Sequence, residues 1–152
     1  RHVLHVLDVL LGQRLEVSYG WTRGEGQHGW LLPQLSLGVE GLLSLPGPAP
    51  GRYLTLLPMV GVEFEAVPLS SSLLQWWGGV RAGFQFSSAD RFASVGCTQA
   101  LPCSRVVTEV YLAGVVVQWA RLQLGVELLP PMRGLPFDAR FKPSLGVELD
   151  WP

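Results

Sequence analysis

The chain has 152 residues, enough for one domain with a core of its own or an enclosed barrel. Hydrophobic residues make up 48% and charged residues only 15%, whereas a soluble surface needs about a quarter or more of its residues charged. A formal net charge of −1 gives no sign of nucleic acid or an acidic partner. No run approaches the ~18 apolar residues of a spanning helix. The best candidate, Tyr111 to Ala120, is short and broken by Gln118 and Arg121. The chain starts at Arg1 and is read as a processed or trimmed product, so the missing signal peptide argues neither way.

Residues 2–11 admit two readings. Leu4, Leu7 and Leu11 would stripe a helix; alternation with Asp8 on one face would make a strand. The β-branched residues and the Gly12-Gln13 turn signal favour a strand. Residues 14–22 are clearer: Leu15, Val17, Tyr19 and Trp21 oppose Glu16, Ser18, Gly20 and Thr22. A Gly-rich loop, Arg23 to Gly29, follows. The next strand covers 30–45, with Leu35, Leu37 and Val39 against Gln34, Ser36, Gly38 and Glu40. Pro46 to Gly51 reads as a turn.

Residues 52–66 place Leu54, Leu56, Val60, Val62 and Phe64 opposite Thr55, Gly61, Glu63 and Glu65. Pro58 falls on the apolar face and lacks an N–H, so it should mark a strand defect or edge. Ser70-Ser71-Ser72 turns the chain. In 73–87, Leu74, Trp76, Val80, Phe84 and Phe86 oppose Gln75, Gly79, Arg81, Gly83 and Gln85. A long polar segment, Ser88 to Arg105, holds Cys97 and Cys103. A loop disulfide between them is expected, and it needs an oxidising compartment; two free thiols are the alternative. A metal site would want more Cys or His nearby.

Val106 to Leu128 is too long for one barrel strand of about ten residues. It divides into strands at 106–116 and 120–129 around a turn near Val117–Ala120, with a helix as the rival reading. Arg121, Gln123, Gly125 and Glu127 alternate with Leu122, Leu124, Val126 and Leu128, which favours strand. After a Pro/Gly loop, Pro130 to Arg140, the last strand covers 141–151.

The sum is one domain, 1–152: an all-β, antiparallel up-and-down barrel of eight strands that spans a membrane. With both termini on one side, the two longest connections, Ser88–Arg105 and Pro130–Arg140, share the far side, as outer loops do in membrane barrels. The tight turn at Gly12-Gln13 and the longer Arg23–Gly29 loop are exceptions to that asymmetry. Three observations put the greasy face outward. Gly38, Gly61, Gly79, Gly125 and Gly146 would make room inside a narrow barrel. Their face carries Glu16, Glu40, Glu63, Glu65, Glu109, Glu127 and Glu148 with Arg81, Arg121 and Lys142, a set able to pair in a lumen. Trp21, Trp30, Trp119 and Trp151, with Phe141, fall near strand ends, as interfacial girdles do. The alternative is a soluble, lipocalin-like barrel around an apolar ligand.

The phrase Gly-Val-Glu recurs at Gly38-Val39-Glu40, Gly61-Val62-Glu63, Gly125-Val126-Glu127 and Gly146-Val147-Glu148. With the final Pro143-Ser144-Leu145-Gly146-Val147-Glu148-Leu149-Asp150-Trp151, it resembles the strands of small outer-membrane β-barrel proteins of Gram-negative bacteria. The resemblance covers most of the chain as a pattern. It implies an outer-membrane location, membrane lipid around the barrel, and the outer-membrane assembly machinery as a partner that reads an aromatic-ended last strand. Pro152 after Trp151 departs from that signal. An envelope protein is a further candidate partner; nucleic acid is not.

Some barrels of this type modify lipids. The histidines are His2, His5 and His28, and none lies in a nucleophile motif. A Ser–His–acid site would need Ser18 or Ser36 to meet a His near Glu40. Glu63 and Glu65 could take a hard cation, but pairing with Arg81, Arg121 and Lys142 is the simpler role. No cofactor, metal or catalytic residue is therefore assigned. Eight strands enclose only enough space for side chains, so no open pore is expected. The sequence reading is a non-enzymatic structural or interaction barrel working through its outer loops. Lumen carboxylates outnumber lumen cations in this reading, so some should be protonated, hydrated or ion-bound.

Overall fold

Period-two alternation has one consequence in a closed sheet: all odd-phase side chains share one wall and all even-phase side chains the other. The computed structural model shows that arrangement. It describes residues 2–9, 14–21, 32–40, 55–65, 73–87, 103–117, 119–131 and 136–152. Eight antiparallel strands close into a barrel, β1 His2–Val9, β2 Arg14–Trp21, β3 Leu32–Glu40, β4 Thr55–Glu65, β5 Leu74–Ser87, β6 Cys103–Val116, β7 Ala120–Leu129 and β8 Asp138–Trp151. Each strand pairs with the next in sequence, and β8 pairs with β1. The termini lie together at one end, where His2 pairs with both Trp21 and Trp151. That end is called the near end below.

The pairings stagger. Following them from Val3 through Gly20, Gln34, Gly61, Arg81, Glu109 and Glu127 arrives at Arg140, ten residues before Asp150, the residue paired with Val3. For eight strands such a shear tilts each strand by about 40°.

Two strands begin earlier than the sequence reading placed them. β6 starts at Cys103 and β8 at Asp138. Their polar composition suggested loop. Each has a partner to pair with, however, because Ser87 meets Cys103 and Leu129 meets Asp138. Backbone pairing, rather than hydrophobicity, sets those ends. No helix occurs among the described residues. Leu4 and Leu7 face opposite sides of β1, which ends the helical reading of that segment. Pro58 interrupts the β4–β5 ladder: pairing jumps from Leu56↔Phe86 to Met59↔Gly83, while the β3 side runs through Leu37↔Pro58 unbroken.

The turn between β6 and β7 lacks the usual turn residues. Val117 adopts a positive φ of 49°, in the left-handed region. Its N–H is held by the Leu73 carbonyl at 3.0 Å. A β-branched residue there costs about 1–2 kcal/mol. Val117→Asn should therefore raise stability by about 1 kcal/mol, measured by urea unfolding of the folded barrel.

The outer wall is mostly apolar, with Asp8 of β1 and Ser104 and Thr108 of β6 as polar exceptions. Leu35, Val60, Val110, Leu122, Phe141 and Leu145 are about half exposed or more. Two small apolar clusters lie inside instead. Leu57, Met59, Val107 and Leu129 pack towards the far end. Trp77, Tyr111, Ala113 and Val115 pack towards the near end. Between and around them the lumen is charged.

Candidate functional site: the lumen charge network

The inward residues form three groups. Nearest the termini, Arg121 of β7 is fully buried. Its guanidinium binds Glu63 of β4, donates to Glu148 Oε2 of β8 at 3.0 Å and to Gln123 Oε1 at 3.1 Å. His5 Nε2 of β1 lies 3.1 Å from the same Glu148 oxygen and 3.3 Å from Arg121 Nη1. In the middle, Arg81 of β5 bridges Glu16 of β2 and Glu109 of β6, with Nε 2.7 Å from Glu109 Oε2. Lys142 Nζ of β8 reaches the same pair, at 3.0 Å from Glu16 Oε2 and 2.6 Å from Glu109 Oε2. Farther up, Arg14 of β2 forks onto Glu127 of β7 and stands 3.8 Å from Glu40 of β3.

Tyr111 links the groups. Arg81 and Arg121 lie over its ring, 5.1 Å and 5.9 Å from the centroid. Its hydroxyl donates to Gln34 Oε1 at 3.0 Å, and Gln34 in turn donates to Glu63. Each of the four charged residues at the centre, Arg81, Lys142, Glu16 and Glu109, therefore has a partner on another strand. Charges taken out of water are tolerable only when paired and hydrogen-bonded in this way.

The glycines make the space. A Cβ at Gly79 would overlap the Tyr111 ring, and one at Gly61 would overlap the Arg81 stem. The room is made for the neighbouring strand rather than the opposite one, because the register pairs Gly79 with Tyr111 and Gly61 with Arg81.

Of the residues singled out in the sequence, Glu16, Glu63, Arg81, Glu109, Arg121, Glu127, Lys142 and Glu148 are buried in the lumen. Glu40 faces inward beside Arg14, and Glu65 faces inward at the near rim. Trp21 and Trp151 join an outer-face stack at the near end with His2 and Tyr19; His2 lies 5.9 Å from Tyr19 and 5.8 Å from Trp151 by ring centroids. Trp119 is exposed in the β6–β7 turn. Trp30, His28 and Cys97 lie outside the described residues, as does the Cys103 side chain, so the disulfide does too.

Sequence reasoning missed Arg14, His5, Gln123 and Tyr111 as members of the network. Arg14 shares the phase of Glu16, and Tyr111 that of Glu109, so parity could have found both. His5 carried no such signal, because Leu4 and Val6 on the outer wall are as apolar as Val3 and Leu7 inside. Arg14 and Arg105 add inward positive charge to the three cations of the sequence reading.

A triad with Glu40 does not form. His5 pairs across from Ser18, but its acid neighbour is Glu148, while Glu40 sits with Arg14. Ser18 points its hydroxyl at Gln34 Oε1, 3.4 Å away. Glu63 is committed to Arg121 and Gln34 rather than to a cation site with Glu65.

No protein-family model matches the chain, and no curated protein matches it. Among solved structures it is similar to Neisserial surface protein A, with a TM-score of 0.60 at 11% identity over 99% of this chain and 93% of that one. It is also similar to the N-terminal β-barrel domain of Pseudomonas aeruginosa OprF, with a TM-score of 0.54 at 6% identity over 97% and 95% of the two chains. Both are small eight-stranded barrels of Gram-negative outer membranes. At such identities the likeness concerns the fold. This chain is a closed eight-stranded barrel of the outer-membrane type, apolar outside and charged within.

Proposed function

We propose that the chain is an integral outer-membrane barrel of a Gram-negative bacterium. In this reading its lumen is a structural strut rather than a conduit, and its work is done by its far-side loops. The observation that carries this is the lumen itself. Arg81, Arg121 and Lys142 cross it and each contacts carboxylates on other strands, between apolar clusters at both ends. Such an interior leaves no water column for a solute. The apolar outer wall supports lipid as its surroundings, and the charged inner wall is the reverse of what a soluble barrel around an apolar ligand needs. The burial of His5, Ser18 and Glu148 speaks against a lipid-modifying active site, since no substrate carbonyl could reach them.

In detergent the purified chain should show the heat-modifiable gel shift of a membrane barrel. In planar bilayers it should give no sustained conductance step. Stable open-channel steps would overturn the strut reading, and a detergent-free soluble monomer would overturn the membrane reading. Replacing 88–102 by a short Gly-Ser turn should leave the gel shift intact, as expected if that loop serves contact outside the barrel rather than folding.

A further inference from the structure

Arg105 is held differently from the other inward cations. Arg14, Arg81, Arg121 and Lys142 each contact a carboxylate. Arg105 is buried at the far end of β6, but its partners among the described residues are backbone carbonyls. Its Nη2 donates to the carbonyls of Leu129 at 3.0 Å, Pro130 at 3.3 Å and Pro136 at 2.7 Å. Its Nε donates to the Pro130 carbonyl at 3.4 Å. The acid nearby in the chain, Asp138, is engaged by Arg140, whose Nε stands 2.7 Å from it.

These carbonyls come from both stems of one connection. Leu129 ends β7, Pro130 follows it, and Pro136 stands two residues before β8 begins at Asp138. The stems are poor at holding themselves. Pro130, Pro131 and Pro136 have no N–H, so none of them can donate to a turn hydrogen bond. A donor must come from elsewhere, since a carbonyl beside the buried Val107 and Leu129 is costly to leave unpaired. β6 supplies it because it starts at Cys103, so that Arg105 lies beyond the last pair with β7 at that end, Thr108↔Leu128. A guanidinium suits the place. It is planar, always charged, and carries several donors in a fixed fork, so one group spans both stems. Beyond the clamp, Pro130, Pro131, Pro136 and Phe137 are exposed.

We infer that Arg105 is the positioning residue of the β7–β8 connection, a clamp that fixes both stems to the barrel wall through three carbonyls, so that the connection meets its contact preformed. The inference rests on the reading that far-side loops carry the protein's contacts. Ordering the stems in advance removes an entropy cost that binding would otherwise meet. The three oxygens converging on Nη2 form a receptor for a planar cation, and the barrel fills it with its own side chain. Lysine is no substitute, because its single nitrogen cannot offer the second, Nε edge of the fork.

The test uses the full chain in a Cys97→Ser/Cys103→Ser background, folded in phosphatidylcholine vesicles. A nitroxide at Phe137→Cys, an exposed position, reports the motion of the second stem. A nitroxide at Leu145→Cys, on the outer wall of β8, reports the barrel. Arg105→Ala should shorten the correlation time at 137 at least about threefold and leave that at 145 unchanged. Millimolar ethylguanidinium, well below denaturing levels, should restore at least about half of the change at 137. An unchanged signal at 137, equal changes at both positions, or no rescue by ethylguanidinium overturns the clamp. Arg105→Lys keeps the charge and serves where the alanine variant does not fold. It should loosen 137 as well, and a signal like that of the unsubstituted chain overturns the inference too. The label reads the clamp without any partner, so a connection that is clamped but contacts nothing refutes the proposed function alone. A chain without a heat-modifiable gel shift refutes the membrane reading, whereas a folded barrel with position 137 unaffected refutes only the clamp.

Discussion

Arg81→Ala should cost the barrel about 3–5 kcal/mol, the usual loss when one member of a buried ion cluster is removed. Arg81 and Lys142 together face Glu16 and Glu109, two cations for two carboxylates. Without Arg81, Lys142 alone must serve both and also stands 3.8 Å from Glu127. The Tyr111 ring loses its closer guanidinium as well. Urea unfolding in lipid vesicles measures the loss. Arg133→Ala, in the connection between β7 and β8, should shift stability by no more than about 0.5 kcal/mol in the same assay. Equal shifts for the two variants would mean that the lumen charges do not brace the barrel. The double variant Arg81→Ala/Glu16→Gln restores the local charge balance and should recover at least about 1 kcal/mol. If it recovers nothing, the cost lies in lost packing rather than in a stranded carboxylate.

Gly79→Val is also expected to be damaging, by about 1–3 kcal/mol or by failure to fold. The added atoms would overlap the Tyr111 ring. That ring has nowhere to go, because Arg81 and Arg121 lie over it and Gln34 holds its hydroxyl. The control is Gly114→Ala on the outer wall, where an added Cβ meets Leu74 at 3.5 Å, an ordinary contact. Tyr111→Leu shortens the obstructing side chain, so Gly79→Ala should be better tolerated in that background than alone. If Gly79→Val folds with unchanged urea midpoint, the lumen is looser than the distances imply.

The two predictions probe one design from both sides. An eight-stranded barrel gains room for a long inward side chain where an adjacent strand contributes none. Gly61 beside Arg81 and Gly79 beside Tyr111 meet that condition. Gly78 shows the same economy on the lipid side, where the Phe64 ring covers it from the adjacent strand. Small residues on one strand and large ones on the next therefore fix the register as well as fill the lumen.

Much of this was legible along the chain. Through most of β2, β3, β5, β7 and β8, Leu, Val or Phe alternates with Gly, Ser, Glu, Gln, Arg or Lys, with breaks such as Trp77-Gly78 in β5, and side-chain direction in a strand has period two. Which residues share a face follows from parity, and the glycines, the mixed charges and the aromatics near strand ends add which face points inward. Even the defect at Pro58 follows from a missing N–H. Parity fails in β1, where both faces are apolar, so nothing local reveals that His5 points into the lumen. It also fails at the polar beginnings of β6 and β8, where the strand exists because β5 and β7 offer edges to pair with.

What only the closed sheet decides is who meets whom. Parity places Arg81 inside, but the stagger of the strands selects Glu16 and Glu109 as its partners and gives Arg121 to Glu63 and Glu148. Those residues are far apart in sequence and lie on strands that do not all adjoin. The sequence by itself determined a barrel wall with one apolar face and one charged face, because alternation is a local property of the strand. The pairing of the charges and the wedge of Tyr111 were decided by the shear, which exists only once β8 has closed on β1.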